Sequence, residues 1–369
     1  MEQKKELKTE RLQSLDSLRG FTMFWIIGGG ALIHSLAKAT DWQALSWFSQ
    51  QFTHVQWNGF HFYDMIFPLF MFVSGVAMPF SFGKKLAQGV SKKKILAKAG
   101  KRALILILFG IIYNNKISFD FANMRYASVL GQIGVGYFIA ASIYLYANLR
   151  GQIIWTLSIL LGFWALMALV PVPGFGAGVL TPEGNFSGYV DRLLLPGTTY
   201  REHYDPQGIL LMISAATITL MGAVTGTLII SEKQTKNRKT LIMAAIGVVL
   251  IGLSLIWNIW YPINKEIWSS SFNVLTIGLS LIFMAVFYFI IDVKGYAKWS
   301  FPFMLIGLNP ITIYMAHRMV DFKYTSEYLL TGIMNISGNF SMVILTLGVL
   351  GLQLLLLYFL YKRKIFLRV

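Results

Sequence analysis

The feature that most constrains this chain is a series of apolar runs, each close to the ~20 residues a helix needs to cross a hydrocarbon core. Ten can be drawn, at 15–37, 62–82, 99–114, 126–147, 152–170, 207–230, 240–260, 268–291, 299–321 and 340–361. Inside a bilayer every backbone N–H and C=O must find a partner within the segment, so such runs fold as helices. The expectation is an all-α polytopic membrane protein of about ten transmembrane helices. No stretch between the runs is long enough for a soluble domain, so 1–369 reads as one transmembrane domain. Only 13% of the residues are charged and 56% are hydrophobic, whereas soluble domains carry roughly 25% charged residues. The longest connector, 171–206, is rich in Pro and Gly and is expected to cap one face. No internal repeat is visible, which weakens an inverted-repeat transporter reading.

The net charge of +16 raises nucleic acid as a partner. The excess, however, sits in short loops between apolar runs, where it reports topology. With the N-terminus inside, 24 of the 32 Lys and Arg fall on the cytoplasmic side, so both termini are expected to be cytoplasmic. The loop 38–61 then faces outward. Lys4, Lys5, Lys8 and Arg11 before the first run resemble a signal peptide. Asp16 and Arg19 interrupt the start of that run and no small-x-small cleavage site follows, so it is read as a retained span. There are no cysteines, which excludes disulfides, thiolate metal sites and a cysteine nucleophile.

Ionisable groups beside spans are costly and mark candidate sites. His54, Asn58, His61 and Asp64 crowd into the entry to the second run, with Trp57 and Tyr63 among them. A plain interfacial loop accounts for them, with the aromatics anchored at headgroup level. The functional reading is a histidine base with an orienting partner, since histidine titrates near working pH. Asp16 and Arg19 share a helix face and serve equally as a capped helix start or, with Arg19 turned inward, as a phosphate ligand. Asn309, Pro310, His317 and Arg318 lie in the ninth run. Pro310 breaks the helix ladder there, and a simple kink with a snorkelling Arg318 is the plain alternative. His34 reads as interfacial. Gln132, Asn258, Asn264 and Asn273 read as interhelical hydrogen-bonding groups. Gly28, Gly29 and Gly30 thin the first span, for close packing or for a ligand. A GxGxxG loop, a metal-ligand pair at helical spacing and a G-x-S-x-G elbow are absent.

The motifs SLDSLRGFTMFW, GGG, and HVQWNG followed by an Asp and IFPLF, in that order, resemble the heparan-alpha-glucosaminide N-acetyltransferase family. The resemblance continues through VLGQIGVGYF (129–138), DPQGIL (205–210), YPINKEIWSSSF (261–272), DVKG (292–295), GLNPITIYMAH (307–317) and YKRKIF (361–366). The chain is most similar to a compact bacterial branch, associated with amino-sugar utilisation and lacking the extra lumenal domain and span of lysosomal members.

The resemblance implies acetyl transfer from cytosolic acetyl-CoA to the amino group of glucosamine or a terminal glucosaminide on the outer side, in a bacterial inner membrane, by a homodimer. It implies His54 as the catalytic residue. Asp64 or His317 would orient it, and Asn58, Asn309 or the Trp57 indole would supply oxyanion donors. Trp57, His61 and Asn309 are expected around the acceptor. Arg19, Lys101 and Arg102 are expected at the CoA phosphates, with the pantetheine arm running past Gly28, Gly29 and Gly30. No metal is expected. The family's asparagine just before GGG is absent here, where Ile26 and Ile27 stand. The competing classes are an amino-sugar transporter and an O-acyltransferase acting on an envelope polysaccharide.

Overall fold

The computed structural model describes residues 12–116 and 120–367, so Lys4, Lys5, Lys8 and Arg11 lie outside it. Among the described residues there is no β-strand, only the isolated bridges Arg125–Gly197 and Val172–Gly176. Eight helices among the described residues are long and apolar enough to span a membrane: α1 (Gln13–Thr40), α3 (Phe62–Ala87), α5 (Val129–Tyr146), α6 (Leu149–Leu169), α8 (Ile209–Ile230), α9 (Lys236–Trp257), α10 (Ser270–Val293) and α14 (Gly338–Lys362). Shorter or more polar helices complete the set: α2 (Gln43–Gln50), α4 (Lys92–Asn115), α7 (Phe186–Leu194), α11 (Phe301–Leu308), α12 (Pro310–Met319) and α13 (Phe322–Ile336). The protein is an all-helical polytopic membrane protein.

Two expected spans differ in form from the other eight, for physical reasons. The run 99–114 lies in α4, a 24-residue helix whose first turns carry Lys92, Lys93, Lys94, Lys98, Lys101 and Arg102. Its apolar length is therefore short. The run 299–321 is split at Asn309, whose φ of −133° and ψ of 51° are not helical. Pro310 restarts the chain as the first residue of α12, where a missing N–H costs nothing. Elsewhere the helix starts follow ordinary capping chemistry. Ser91, Ser128, Asn148, Asn185, Thr235, Ser269 and Asp321 each accept a hydrogen bond from a backbone N–H in the first turn.

Glycine permits a close crossing between α3 and α8. A Cβ on Gly75 would lie 1.9 Å from the Thr219 carbonyl oxygen, and one on Gly222 would lie 2.1 Å from that of Phe72. Without a hydrophobic force between helices in lipid, such small-residue contacts carry the packing. The core runs from Leu18 and Ile27 through Leu69, Met71 and Phe72 to Trp268 and Phe272, all buried. Asn273 donates to Ser214 across α10 and α8, at 2.7 Å, as expected of an interhelical amide.

The two ends of the bundle are stitched separately. At the end carrying the termini, Ser14 N–H donates to Asp292, and the Asn309 amide holds the C-terminal segment through the Ile365 carbonyl and the Leu367 N–H. At the opposite end the loop 51–61, the connector 171–206 and the connector 258–269 converge. Gly59 N–H donates to the Ile263 carbonyl, and the Trp57 indole N–H to that of Leu180. The Tyr204 hydroxyl donates to Glu266. The long connector therefore packs over this face of the bundle.

Candidate functional site

The cap covers a cluster of charged groups at the mouth of α3. Asp64 lies in the first turn of that helix and is 1% exposed. Its Oδ2 accepts the His61 backbone N–H at 3.0 Å, satisfying one of the orphan donors of the helix start. Its Oδ1 is 2.7 Å from His54 Nδ1. A carboxylate only accepts, so the shared hydrogen is assigned to Nδ1, and Nε2 keeps its lone pair. The His54 ring packs 4.9 Å from that of Tyr63, and the side chain remains 46% exposed. His54 is thus an oriented imidazole open to the surface at one end.

A third group completes the cluster. Lys265 comes from the connector 258–269, and its Nζ stands 2.8 Å from His54 Nδ1, 3.2 Å from His54 Nε2 and 3.3 Å from Asp64 Oδ1. Burial pulls the Lys265 ammonium below its ordinary pKa, and the carboxylates of Asp64 and Glu266 oppose that. Lys265 lies in the motif YPINKEIWSSSF, where no local pattern marks it out. The available signal was instead a lysine in a short connector between two apolar runs, apart from the basic clusters of the other loops.

The other expected residues fall into three places. Asn58 is beside the cluster, its Oδ1 accepting from Asn264 Nδ2 at 3.0 Å. Trp57 is near too, with its indole N–H committed to Leu180. His61 caps α3 and holds the Thr53 carbonyl through Nδ1 at 3.0 Å. His317 is elsewhere: its Nδ1 meets Gln353 Nε2 at 2.9 Å, and it lines a separate groove with Arg318 and Asp321. The partner of His54 is therefore Asp64. Asn309 sits at the termini end, both ends of its amide bonded to the C-terminal segment. His34 bonds Ser49 and the Phe52 carbonyl.

A cavity of about 500 Å³ opens at the termini end, lined by Arg19, Arg102, Asp16, Ser74, Phe70 and Ile311 among others. Arg19 pairs with Asp16 at 3.1 Å, and the Arg102 guanidinium lies 4.2 Å over the Tyr137 ring. Lys101 is exposed and does not line the cavity. A narrow apolar pocket shares Phe70 and Ile311 with it and reaches Ile26 and Tyr314. Tyr314 stacks on Tyr113 at 4.4 Å. The three glycines line neither space. Gly28 faces Leu350 of α14, Gly29 faces Phe24 and Trp25, and Gly30 faces Tyr63. Among the described residues no group of three or more His, Asp or Glu is placed to hold a metal ion.

These features define a class: a multi-pass helical membrane protein with an oriented histidine at one end and an arginine-lined cavity at the other. A domain of unknown function (DUF5009) matches residues 11–124. The heparan-alpha-glucosaminide N-acetyltransferase of Homo sapiens is 28% identical over 418 residues, covering 96% of this chain and 59% of that protein. The enzyme of Mus musculus is likewise 28% identical, over 96% of this chain and 60% of its own length. The chain is thus similar to the heparan-alpha-glucosaminide N-acetyltransferases along nearly all of its length, in agreement with its motifs. It spans about three-fifths of the length of these curated relatives.

Proposed function

We propose that this protein is a transmembrane acetyltransferase. It takes acetyl from acetyl-CoA at the face carrying the termini and passes it to the amino group of glucosamine, or of a terminal glucosaminide, at the face carrying His54. The 2.7 Å bond between His54 Nδ1 and Asp64 carries the reading. An amine attacks a thioester only as the free base, and with Nδ1–H given to Asp64 its proton goes to His54 Nε2, from which the Lys265 ammonium at 3.2 Å must turn away as the acceptor binds. The names of the two relatives support the reaction class.

The termini-end cavity suits a CoA. Arg19 and Arg102 would meet its phosphates, since guanidinium groups pair with them bidentately. Phe70 and Ile311 continue from the cavity toward Ile26 and Tyr314, an apolar path for the pantetheine arm. At the His54 end the acceptor nitrogen attacks the carbonyl carbon, the C–S bond breaks, and the proton passes from nitrogen through Nε2 to the departing sulfur. The same Nε2 would be the nucleophile of a two-step route through acetyl-histidine, which ping-pong kinetics would identify. The remaining parts of the proposal are a bacterial inner membrane, cytoplasmic termini, a single domain over 1–369 and a homodimer.

The test is purified protein in liposomes, with labelled acetyl-CoA on one side and glucosamine on the other. Label on the sugar with wild type and none with folded His54→Ala supports the reading. Glucosamine crossing unmodified would make the protein a transporter. Label appearing only on a hydroxyl-bearing glycan would make it an O-acyltransferase.

A further inference from the structure

An acyl transfer also needs donors for the negative charge that develops on the carbonyl oxygen, and these are often worth more than the base itself. Among the donors the sequence offered, the Trp57 indole is committed to the Leu180 carbonyl and the Asn309 amide to the C-terminal segment at the far end, while Asn58, whose Oδ1 accepts from Asn264, offers only a neutral amide N–H. The strongest donor beside His54 Nε2 is the Lys265 ammonium, at 3.2 Å.

Its placement is built rather than accidental. The Lys265 carbonyl accepts from Trp268 N–H at 3.1 Å, closing a tight turn. Trp268 completes the turn with a φ of +44°, a left-handed conformation that a bulky residue adopts only under constraint. The constraint is visible: Trp268 is fully buried and its indole N–H donates to the Pro206 carbonyl at 3.0 Å. Asn264 locks the same turn from the other side, its Oδ1 accepting from Ile267 N–H and its N–H donating to Ser269 Oγ. Backbone strain held in place beside a charged cluster is a mark of functional sites. The Lys265 side chain is 13% exposed and reaches from this turn to His54 and Asp64.

We propose that Lys265 is a catalytic residue whose ammonium donates to the carbonyl oxygen of the thioester as it becomes an oxyanion, while His54 takes the proton of the attacking nitrogen. This rests on the acetyltransferase reading above. Lys265 stays protonated throughout: the acceptor nitrogen bonds the carbonyl carbon, the oxyanion forms against the Nζ hydrogens, then collapses as the C–S bond breaks. The proton held on His54 Nε2 goes to the sulfur. A structural role competes with this, in which Lys265 serves only to balance the buried charge of Asp64.

The experiment compares wild type, Lys265→Met, Lys265→Arg, Asp64→Asn and the Asp64→Asn/Lys265→Met double variant, each checked for folding by size exclusion and thermal melting. Loss of one oxyanion donor lowers kcat by about 10²–10³-fold. Lys265→Met is expected to fall by that amount with KM for acetyl-CoA changed less than about threefold, and Lys265→Arg to recover part of the loss. In the Asp64→Asn background the charge to be balanced is gone, so a purely structural lysine would add no further loss. The proposal expects a further drop of about tenfold or more. Equal rates for the single Asp64→Asn and the double variant overturn it, as does a Lys265→Met variant with kcat intact; should Lys265→Met fail to fold, the double variant decides. If wild type itself transfers no acetyl, the acetyltransferase reading fails first and takes this proposal with it. An active wild type with kcat independent of Lys265 removes this proposal alone.

Discussion

Asp64→Asn tests the geometry at its centre. The carboxylate has two acceptor oxygens and serves three donors: His54 Nδ1–H at 2.7 Å, His61 N–H at 3.0 Å and the Lys265 ammonium at 3.3 Å. An asparagine of the same shape has one acceptor oxygen and a donor NH₂. If its oxygen faces His61, the NH₂ faces His54 Nδ1, which must then accept. The ring hydrogen moves to Nε2 and the histidine can no longer act as a base there. If the oxygen faces His54, two N–H groups confront each other at the first turn of α3, and an unsatisfied buried donor costs about 1–3 kcal/mol. The first arrangement avoids that cost and is favoured. An Asp-to-Asn change behind a catalytic histidine lowers kcat by about 10⁴-fold where the base is essential. With His54 here half exposed and free to find water, a loss of about 10²–10⁴-fold is expected, equivalent to about 3–5 kcal/mol of barrier. The assay is product formation from acetyl-CoA and glucosamine, read by mass spectrometry, with the melting temperature of each protein measured in the same detergent. A folded Asp64→Asn protein working within threefold of wild type would refute the orientation argument.

Replacing Arg19 or Arg102 by Ala is expected to raise KM for acetyl-CoA about tenfold or more with a smaller effect on kcat, since each removes a charge-assisted contact worth about 1.5–3 kcal/mol; an unchanged KM in steady-state titrations moves the CoA site elsewhere. In the cap, burial pushes Asp191 up to about 7, partly offset by the Ile209 N–H it accepts at 3.0 Å. Its carboxyl is therefore protonated in the folded cap at pH values where the unfolded chain has already ionised. The stability this contributes is whole below about pH 4 and is lost as pH rises through about 7, by at most on the order of 4 kcal/mol. Limited proteolysis of the connector 171–206 should accelerate as pH rises from about 4 to about 7 in wild type, and Asp191→Asn should flatten that dependence.

The helical, membrane-spanning character of the apolar runs was legible because a bilayer leaves a chain so few options. With no water to satisfy the backbone, each apolar run closes its own hydrogen bonds, and its length and charge can be read locally. Even the break at Asn309–Pro310 is local, a missing N–H and a ring clash. The pairing of His54 with Asp64 was within reach for the same reason, since ten residues and one helix start separate them. What lay beyond the sequence was everything that depends on which loops meet. Lys265 is 211 residues from His54, and Asn264 is 206 residues from Asn58. No periodicity or propensity joins positions so far apart; only the packing of α10 against α3 and the closing of the cap do so. The same physics sent His317 to Gln353 and Asn309 to the C-terminal segment, although both had looked like members of the site. Their residue types announced hydrogen-bonding capacity, and the tertiary fold alone chose the partners that used it.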